Sequence, residues 1–149
     1  MGIGDRESGI GDRELGIGDR GFEMGRKWRR ATKSYKELEI WKKAVDLAVE
    51  VYRITRAFPP QEKFGLASQM QRAATSIPAN IAEGWGRGST KEYVQFLRMA
   101  RASLMELETH LILTERLGYL QKNTLEAHQQ EVAILGKGIN ALIRSLLGK

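Results

Sequence analysis

Residues 64–87, FGLASQMQRAATSIPANIAEGWGR, decide the fold of this chain. Their apolar residues recur every three or four positions, which predicts a helix that packs one side against its neighbours. We expect this helix to run from near Gln61 to about Gly84. Pro78 lies inside it, lacks a backbone N–H and displaces the carbonyl of Ala74, so it should bend the helix. A bend there would splay Asn80, Glu83 and the following glycine-rich turn away from the bundle axis.

The polar residues of the same stretch share one narrow side of the predicted helix, since successive residues are about 100° apart. This polar stripe consists of Gln69, Arg72, Ser76, Asn80, Glu83 and Arg87. An ordered row of amides, hydroxyls and charges indicates either a functional surface or an ordinary solvated side. Spacing alone leaves both interpretations open.

Three further segments have helical spacing. The first covers residues 40–58, follows a capping-box pair at Ser34 and Glu37, and stops at two prolines. The third begins at Ser89, whose spacing to Glu92 is again that of a capping box, and ends at Gly118. The fourth begins near residue 123 and extends to residue 146. Short connections predict an all-α, antiparallel up-down-up-down four-helix bundle over residues 35–149.

The composition is that of a basic globular protein. The 149 residues are 42% hydrophobic and carry a net charge of +6, which favours nucleic acid first and anionic lipid second as partners. No apolar run reaches about 18 residues, so no membrane span is expected, and the first residues do not form a secretory signal. The absence of cysteine excludes disulfides and fits a cytoplasmic location.

The first 34 residues form a separate region. Residues 2–22 read GIGDRES, GIGDREL and GIGDRGF, a heptamer whose copies each contain one isoleucine and at least two glycines. Such a segment cannot bury enough apolar surface to offset its ordering entropy, so we predict a disordered low-complexity tail. Met24 follows directly, and the sequence leaves open whether translation starts there or upstream of the repeats.

A basic arm follows the repeats. Its cations are Arg26, Lys27, Arg29, Arg30 and Lys33, with Trp28 and Tyr35 interleaved. Cations that bind phosphate beside rings that stack on bases are typical of single-stranded nucleic-acid binding. A solvated, flexible linker explains the same composition equally simply.

No set of residues assembles into a familiar catalytic site. His128 lies on the apolar side of the fourth helix and is expected to be a buried, hydrogen-bonded residue, while His110 follows Glu106 by one helical turn. Neither has a glutamate three residues before it, as di-iron bundles require. The sequence therefore predicts no enzyme, no metal, no cofactor and no small-molecule substrate.

Several apolar residues fall outside the narrow seams that a four-helix core needs. These are Trp41, Val45 and Tyr52 in the first helix and Phe96 and Met99 in the third. Such an apolar stripe favours self-association. The same residues could also be buried in a broad core of a monomer. The cations of the fourth helix, among them Lys137 and Arg144, would also suit a helix on a membrane surface, but the core side of a bundle explains its pattern better.

The sequence also resembles a known family. The segments ELEIWKKAVDLAVEVYRITRAFPPQEKFGL, SQMQRAATSIPANIAEGWGRGSTKEYVQFLRMARASLMELETHL and LGYL are similar to the bacterial four-helix bundle proteins encoded by intervening sequences in 23S ribosomal RNA genes. The likeness covers about residues 35–147 and leaves out the repeats and most of the arm. It implies a bundle that assembles into a homopentameric ring and has no established enzymatic activity. The architecture also resembles the accessory protein of diversity-generating retroelements, a basic ring that binds RNA and a reverse transcriptase.

The resemblance bears on individual positions. It implies that the characteristic polar positions of the family are Arg72, Ser76, Pro78, Asn80, Glu83, Gly84, Arg87, Lys91 and Arg101. The polar stripe coincides with part of this set. We therefore hypothesise a non-catalytic, oligomeric RNA- or DNA-binding protein whose phosphate contacts come from Arg72, Arg87, Lys91, Arg98 and Arg101. The alternative is a protein-interaction scaffold or adaptor without a nucleic-acid ligand.

Overall fold

The computed structural model describes residues 32–149, and four long helices contain most of them. The helices are α1 (Glu39–Arg56), α2 (Leu66–Gly86), α3 (Thr90–Arg116) and α4 (Lys122–Leu146). Two short 3₁₀ turns, Tyr35–Glu37 and Pro60–Glu62, precede α1 and α2. The repeats at residues 2–22, their predicted disorder and arm residues 26–31 lie outside the described residues.

Cross-helix contacts show that neighbouring helices are antiparallel. Ser76 of α2 lies 2.9 Å from Ser103 of α3, hydroxyl to hydroxyl. Six residues earlier on α2, the sulfur of Met70 accepts a hydrogen bond of 3.3 Å from Thr114, which lies later on α3. Position along α3 therefore falls as position along α2 rises. The predicted all-α antiparallel four-helix bundle is confirmed.

Each helix buries the apolar side that its spacing predicts. The residues with at most 1% exposure include Ala44 and Val51 of α1, Met70, Ile77 and Ile81 of α2, Tyr93, Leu97, Leu104, Leu107 and Leu111 of α3, and Leu135, Ile139 and Leu146 of α4. The most extensive helix contact joins α2 and α3, and the least extensive joins α1 and α4. None of the helices in the described part combines the length and hydropathy that a membrane-spanning segment requires.

Two predicted ends of α3 are confirmed. The Ser89 hydroxyl accepts a hydrogen bond of 3.1 Å from the backbone N–H of Glu92, which caps the first turn. Gly118 has φ +84°, and the N–H of Tyr119 donates to the carbonyl of Thr114 at 3.0 Å. A left-handed glycine with this 6→1 bond is a Schellman motif, which satisfies carbonyls at the helix end.

Other predicted boundaries are wrong by a few residues. Helix α2 begins at Leu66 rather than near Gln61, because Pro60 starts a separate 3₁₀ turn and Gly65 (φ −113°, ψ −108°) is not helical. The hydroxyl of Ser34 caps the turn Tyr35–Glu37 rather than α1, since the extended Leu38 separates that turn from the helix.

Pro78 does not splay the end of α2 away from the bundle, which corrects the sequence expectation. The helix continues through it to Gly86. Beyond the proline, Ile81 is fully buried and Trp85 is only 7% exposed. Apolar contacts on both sides of Pro78 therefore hold the last two turns on the core.

The buried Tyr93 should lower the stability of the bundle at alkaline pH. Burial raises the pKa of its phenol well above the usual value of 10.0. Above pH 10 the unfolded chain releases this proton while the folded chain keeps it, so the free energy of unfolding should fall by up to about 1.4 kcal/mol per pH unit.

We expect Tyr93→Phe to reduce this loss in urea unfolding followed between about pH 9 and pH 12. Tyr52, which is 41% exposed, supplies the matched Tyr52→Phe control, which should keep the alkaline loss of the wild type. Parallel pH profiles for wild type and Tyr93→Phe would contradict the prediction.

Candidate nucleic-acid interface

The centre of the polar stripe is used in contacts between α2 and α3. Ser76 bonds to Ser103 across the two helices, and the amide of Asn80 donates to the carbonyl and the hydroxyl of Ser76 at 2.8 and 2.9 Å. All three side chains are partly buried. Their hydrogen-bonding capacity is directed at each other, so this part of the stripe has a structural explanation.

The end of the stripe carries a cation that is already engaged. The guanidinium of Arg87 lies 3.4 Å from the carboxylate of Glu83 and 3.8 Å from that of Glu92. It also stands over the ring of Phe96, 4.9 Å from the centroid. Two carboxylates offset the positive charge of Arg87, which makes it a weaker phosphate ligand than the sequence suggests.

The remaining members of the stripe, Gln69 and Arg72, are exposed. Arg72 has no ion-pair partner among residues 32–149. Arg72 precedes Ser76 by one helical turn, so both lie on the same face of α2. That face contacts Ser103 of α3. This arginine is available to an anion, but it is separated from most of the other predicted ligands.

Arg101, Arg98 and Lys91 belong to a different side of α3. Arg101 donates a hydrogen bond of 2.8 Å to the amide oxygen of Asn140 on α4. Arg98 and Lys91 precede it by three and ten residues, which places them about 60° and about 80° around α3 from Arg101. Both are exposed, and neither has an ion-pair partner in the described part of the chain.

The structure therefore divides the five predicted phosphate ligands into two groups. Ser103 and Arg101 are two residues apart and face different neighbours, α2 and α4. Arg72 lies on the face of α2 that meets Ser103, whereas Arg101 lies on the side of α3 that faces α4. Arg87, at the end of α2, pairs with Glu92, the sequence neighbour of Lys91, so the two groups adjoin at that end of the bundle.

Helix α4 contributes two cations that the sequence prediction did not include in the site. Lys137 and Arg144 flank Asn140 by three and four residues, so they share the side of α4 that meets Arg101. Both are exposed. We call the residues Lys91, Arg98, Arg101, Lys137 and Arg144 the basic α3–α4 surface.

Acidic residues are absent from the two segments that supply four of the five cations of this surface. Residues 93–105 of α3 and residues 132–149 contain neither aspartate nor glutamate. The antiparallel pairing of Arg101 with Asn140 places the two segments side by side. The acids that follow these segments toward the α3–α4 connection are Glu106 on α3 and Glu131 on α4. At the other end of the acid-free segment of α3, Glu92 pairs with Arg87.

The two histidines form local pairs with glutamates. Within residues 32–149, no group of three or more histidine, cysteine, aspartate or glutamate side chains is placed to hold a metal ion. His128 is buried, as predicted, and its Nδ1 lies 2.8 Å from a carboxylate oxygen of Glu131. His110 and Glu106 form the predicted pair at 3.3 Å.

An apolar groove lies on the other side of the molecule, between α1 and α2. It encloses about 490 Å³ and is lined by Val45, Val49, Tyr52 and Pro78, among others. Val49 and Tyr52 are 45% and 41% exposed, large fractions for such side chains. The groove includes two residues of the predicted self-association stripe.

Comparison with known proteins identifies the relatives of this bundle. The family model described as 23S rRNA-intervening sequence protein matches residues 36–141. The chain is also similar to the crystal structure of a protein of unknown function from the S23 ribosomal protein family of Bacteroides thetaiotaomicron, with a TM-score of 0.66 and 24% identity over 70% of this chain and 95% of that one. No curated protein matches the sequence. The chain belongs to the 23S rRNA-intervening sequence protein family.

Proposed function

We propose that this protein is a non-catalytic RNA-binding protein whose basic α3–α4 surface contacts the phosphate backbone. The observation that carries the proposal is the side-by-side placement of two acid-free helical segments that contribute four of the five cations of this surface. Arginine and lysine that neutralise phosphates release condensed counterions, which supplies affinity without reading sequence. The resemblance in architecture to the RNA-binding accessory protein of diversity-generating retroelements favours RNA over DNA as the ligand.

Oligomerisation would multiply this surface. The five cations of one subunit can make only a few phosphate contacts. In an oligomer, once one subunit has bound an RNA molecule, the other subunits bind the same RNA intramolecularly, which raises the overall affinity. The exposed side chains of Val49 and Tyr52 give the chain an apolar area for self-contact. We propose a homo-oligomer, with five copies as the expected number, and the mass of the intact assembly in solution tests it.

The proposal predicts that neutralising the surface weakens RNA binding. Arg98→Gln with Arg144→Gln should lower the affinity for a fluorescent RNA hairpin at least about tenfold near 0.1 M salt, and should reduce the slope of log affinity against log salt by about one to two. The measurement is fluorescence anisotropy over a series of salt concentrations, with the circular dichroism of each variant recorded beside it.

The matched control removes the same charge from the opposite end of the same helix pair. Arg116 and Lys122 are exposed at the α3–α4 connection, so Arg116→Gln with Lys122→Gln should leave the affinity within about threefold of wild type. Equal losses in the two double variants would show that only net charge matters. Binding that does not change with salt would refute the proposal.

One observation favours a second candidate, a protein-interaction adaptor. The groove between α1 and α2 is apolar and open, and such surfaces often bind proteins. Copurification of a single protein partner that survives nuclease treatment and is lost in Tyr52→Asp would support the adaptor. Loss of all partners on nuclease treatment would favour the RNA-binding function.

A further inference from the structure

The guanidinium of Arg87, directly after the end of α2, is held from three directions. One of its terminal nitrogens lies 3.4 Å from the carboxylate of Glu83, and the other lies 3.8 Å from that of Glu92. Its central carbon stands over the ring of Phe96, 4.9 Å from the centroid. Together these contacts restrain both the position of the guanidinium and the orientation of its plane.

The ring beneath this guanidinium is itself fixed by the contact between α2 and α3. The two helices approach so closely there that a Cβ added to Gly84 would lie 2.8 Å from the Cβ of Phe96. Phe96 is half-buried, and it belongs to the most extensive helix contact of the bundle. Arg87 therefore rests on a rigid support, which reduces the conformational entropy that it loses when a ligand binds.

An open recess borders Arg87 on the side turned away from Phe96. The recess has a volume of about 540 Å³, and Phe96 is not among its lining residues, which are Ala79, Ala82, Glu83, Gly86 and Arg87. Apart from Glu83 and Arg87, these residues carry a methyl group or no side chain. A Cβ added to Gly86 would meet no atom within 4 Å. A flat ligand can therefore lie beside the guanidinium without displacing a side chain.

This recess adjoins the basic α3–α4 surface. Glu92, which pairs with Arg87, is the sequence neighbour of Lys91, the first cation of that surface on α3. An RNA backbone that follows α3 from Arg98 to Lys91 therefore arrives next to Arg87. The two carboxylates weaken Arg87 as a phosphate ligand, but a guanidinium plane also binds nucleobases by stacking, which does not require an unpaired charge.

We propose that Arg87 and the recess beside it bind an unpaired nucleobase of an RNA whose phosphates lie on the basic α3–α4 surface. This inference rests on the proposed RNA-binding function and adds the class of RNA that the site takes. Bases inside a duplex are covered on both faces by their neighbours, so the recess accepts a base only from a loop, a bulge or a single-stranded end. Glu83, Glu92 and Phe96 are positioning residues that hold the guanidinium.

The test compares two fluorescent RNA ligands and uses the full chain. Both ligands contain the same hairpin and a tail of the same length, but one tail carries bases and the other carries abasic riboses. Their phosphates are identical, so a difference in affinity reports contacts to the bases. The wild type should bind the RNA with the base-bearing tail at least about fivefold more tightly, as expected when one base stacks. This ratio of affinities should not change with salt, because the bases are uncharged.

Two sets of substitutions separate stacking from charge. Arg87→Lys keeps the positive charge and removes the plane, so it should bring the ratio close to one while the affinity for the abasic RNA stays within about twofold of wild type. Arg98→Gln with Arg144→Gln removes phosphate contacts, so it should weaken the binding of both ligands and keep the wild-type ratio.

A further pair of variants tests the support under Arg87. Phe96→Leu keeps the arginine and removes the ring, and it should lower the ratio of affinities at least about twofold in a variant whose circular dichroism matches that of the wild type. Phe64→Leu is the matched control, because Phe64 is 89% exposed on the connection between α1 and α2, and it should keep the ratio.

Two results would overturn this inference and leave the proposed function intact. One is a wild type that binds both RNAs with salt-dependent and equal affinity. The other is an Arg87→Lys variant that keeps the wild-type preference for the base-bearing tail. Failure of the wild type to bind either RNA would overturn the proposed function as well.

Discussion

Gly84→Ala is expected to lower the free energy of unfolding by about 1–2 kcal/mol, although alanine is the better helix former by about 1 kcal/mol. A methyl group at this position would lie 2.8 Å from Cβ of Phe96 and 3.2 Å from the backbone oxygen of Tyr93. Neither atom can move by changing a rotamer, so α2 and α3 would have to separate. Their contact is the most extensive between helices in the bundle, and the strain would spread along it.

Gly86→Ala is the matched control in the same helix. An added Cβ there meets no atom within 4 Å, so the intrinsic helix preference acts alone and should stabilise the protein by up to about 1 kcal/mol. Urea unfolding of the two variants should thus move the midpoint in opposite directions. Equal stabilisation by both would show that the α2–α3 contact relaxes more easily than the close approach implies.

Leu107→Ala should destabilise the bundle by about 2–5 kcal/mol, the largest effect we expect from one substitution. Leu107 is fully buried in α3 and forms part of the core cluster shared by the four helices. Truncation removes three buried carbons and leaves a cavity that close-packed neighbours fill only partly. Thermal and urea unfolding should agree on the loss.

Met105→Ala provides the comparison for this change, because Met105 lies on the same helix and is 59% exposed. Its effect should stay within about 0.5 kcal/mol, as is usual at exposed positions. A loss at Leu107 no larger than that at Met105 would contradict the assignment of Leu107 to the core.

Apolar spacing predicted the helices and most of the core, because apolar residues that recur every three or four positions over many residues fit one face of an α-helix and few other structures. The limits of α2 were harder to predict. The apolar pattern alone does not show that residues 60–65 form a 3₁₀ turn and a non-helical glycine. Pro78 has a local bending tendency, which the burial of Ile81 and Trp85 overrides.

The candidate site was harder to predict than the fold, because its parts are distant in sequence. The polar stripe is a periodic row in the sequence, yet Ser76 bonds to Ser103 across the helices and Asn80 donates back to Ser76 within α2. The contribution of Lys137 and Arg144 depends on the contact between Arg101 and Asn140, 39 residues apart. Their acid-free surroundings can be read from the sequence, and the pairing of the two segments cannot.

Charged side chains are distributed unevenly along the bundle axis, so the two ends of the molecule differ in charge. The basic α3–α4 surface collects lysines and arginines of α3 and α4 toward one end, while carboxylates such as Glu106 and Glu131 lie toward the other. A charge distribution of this kind is an electric dipole, which turns an approaching particle before the two surfaces touch. A polyanion would therefore meet this protein end-first during diffusional encounter, and dissolved salt would slow the encounter by damping that torque.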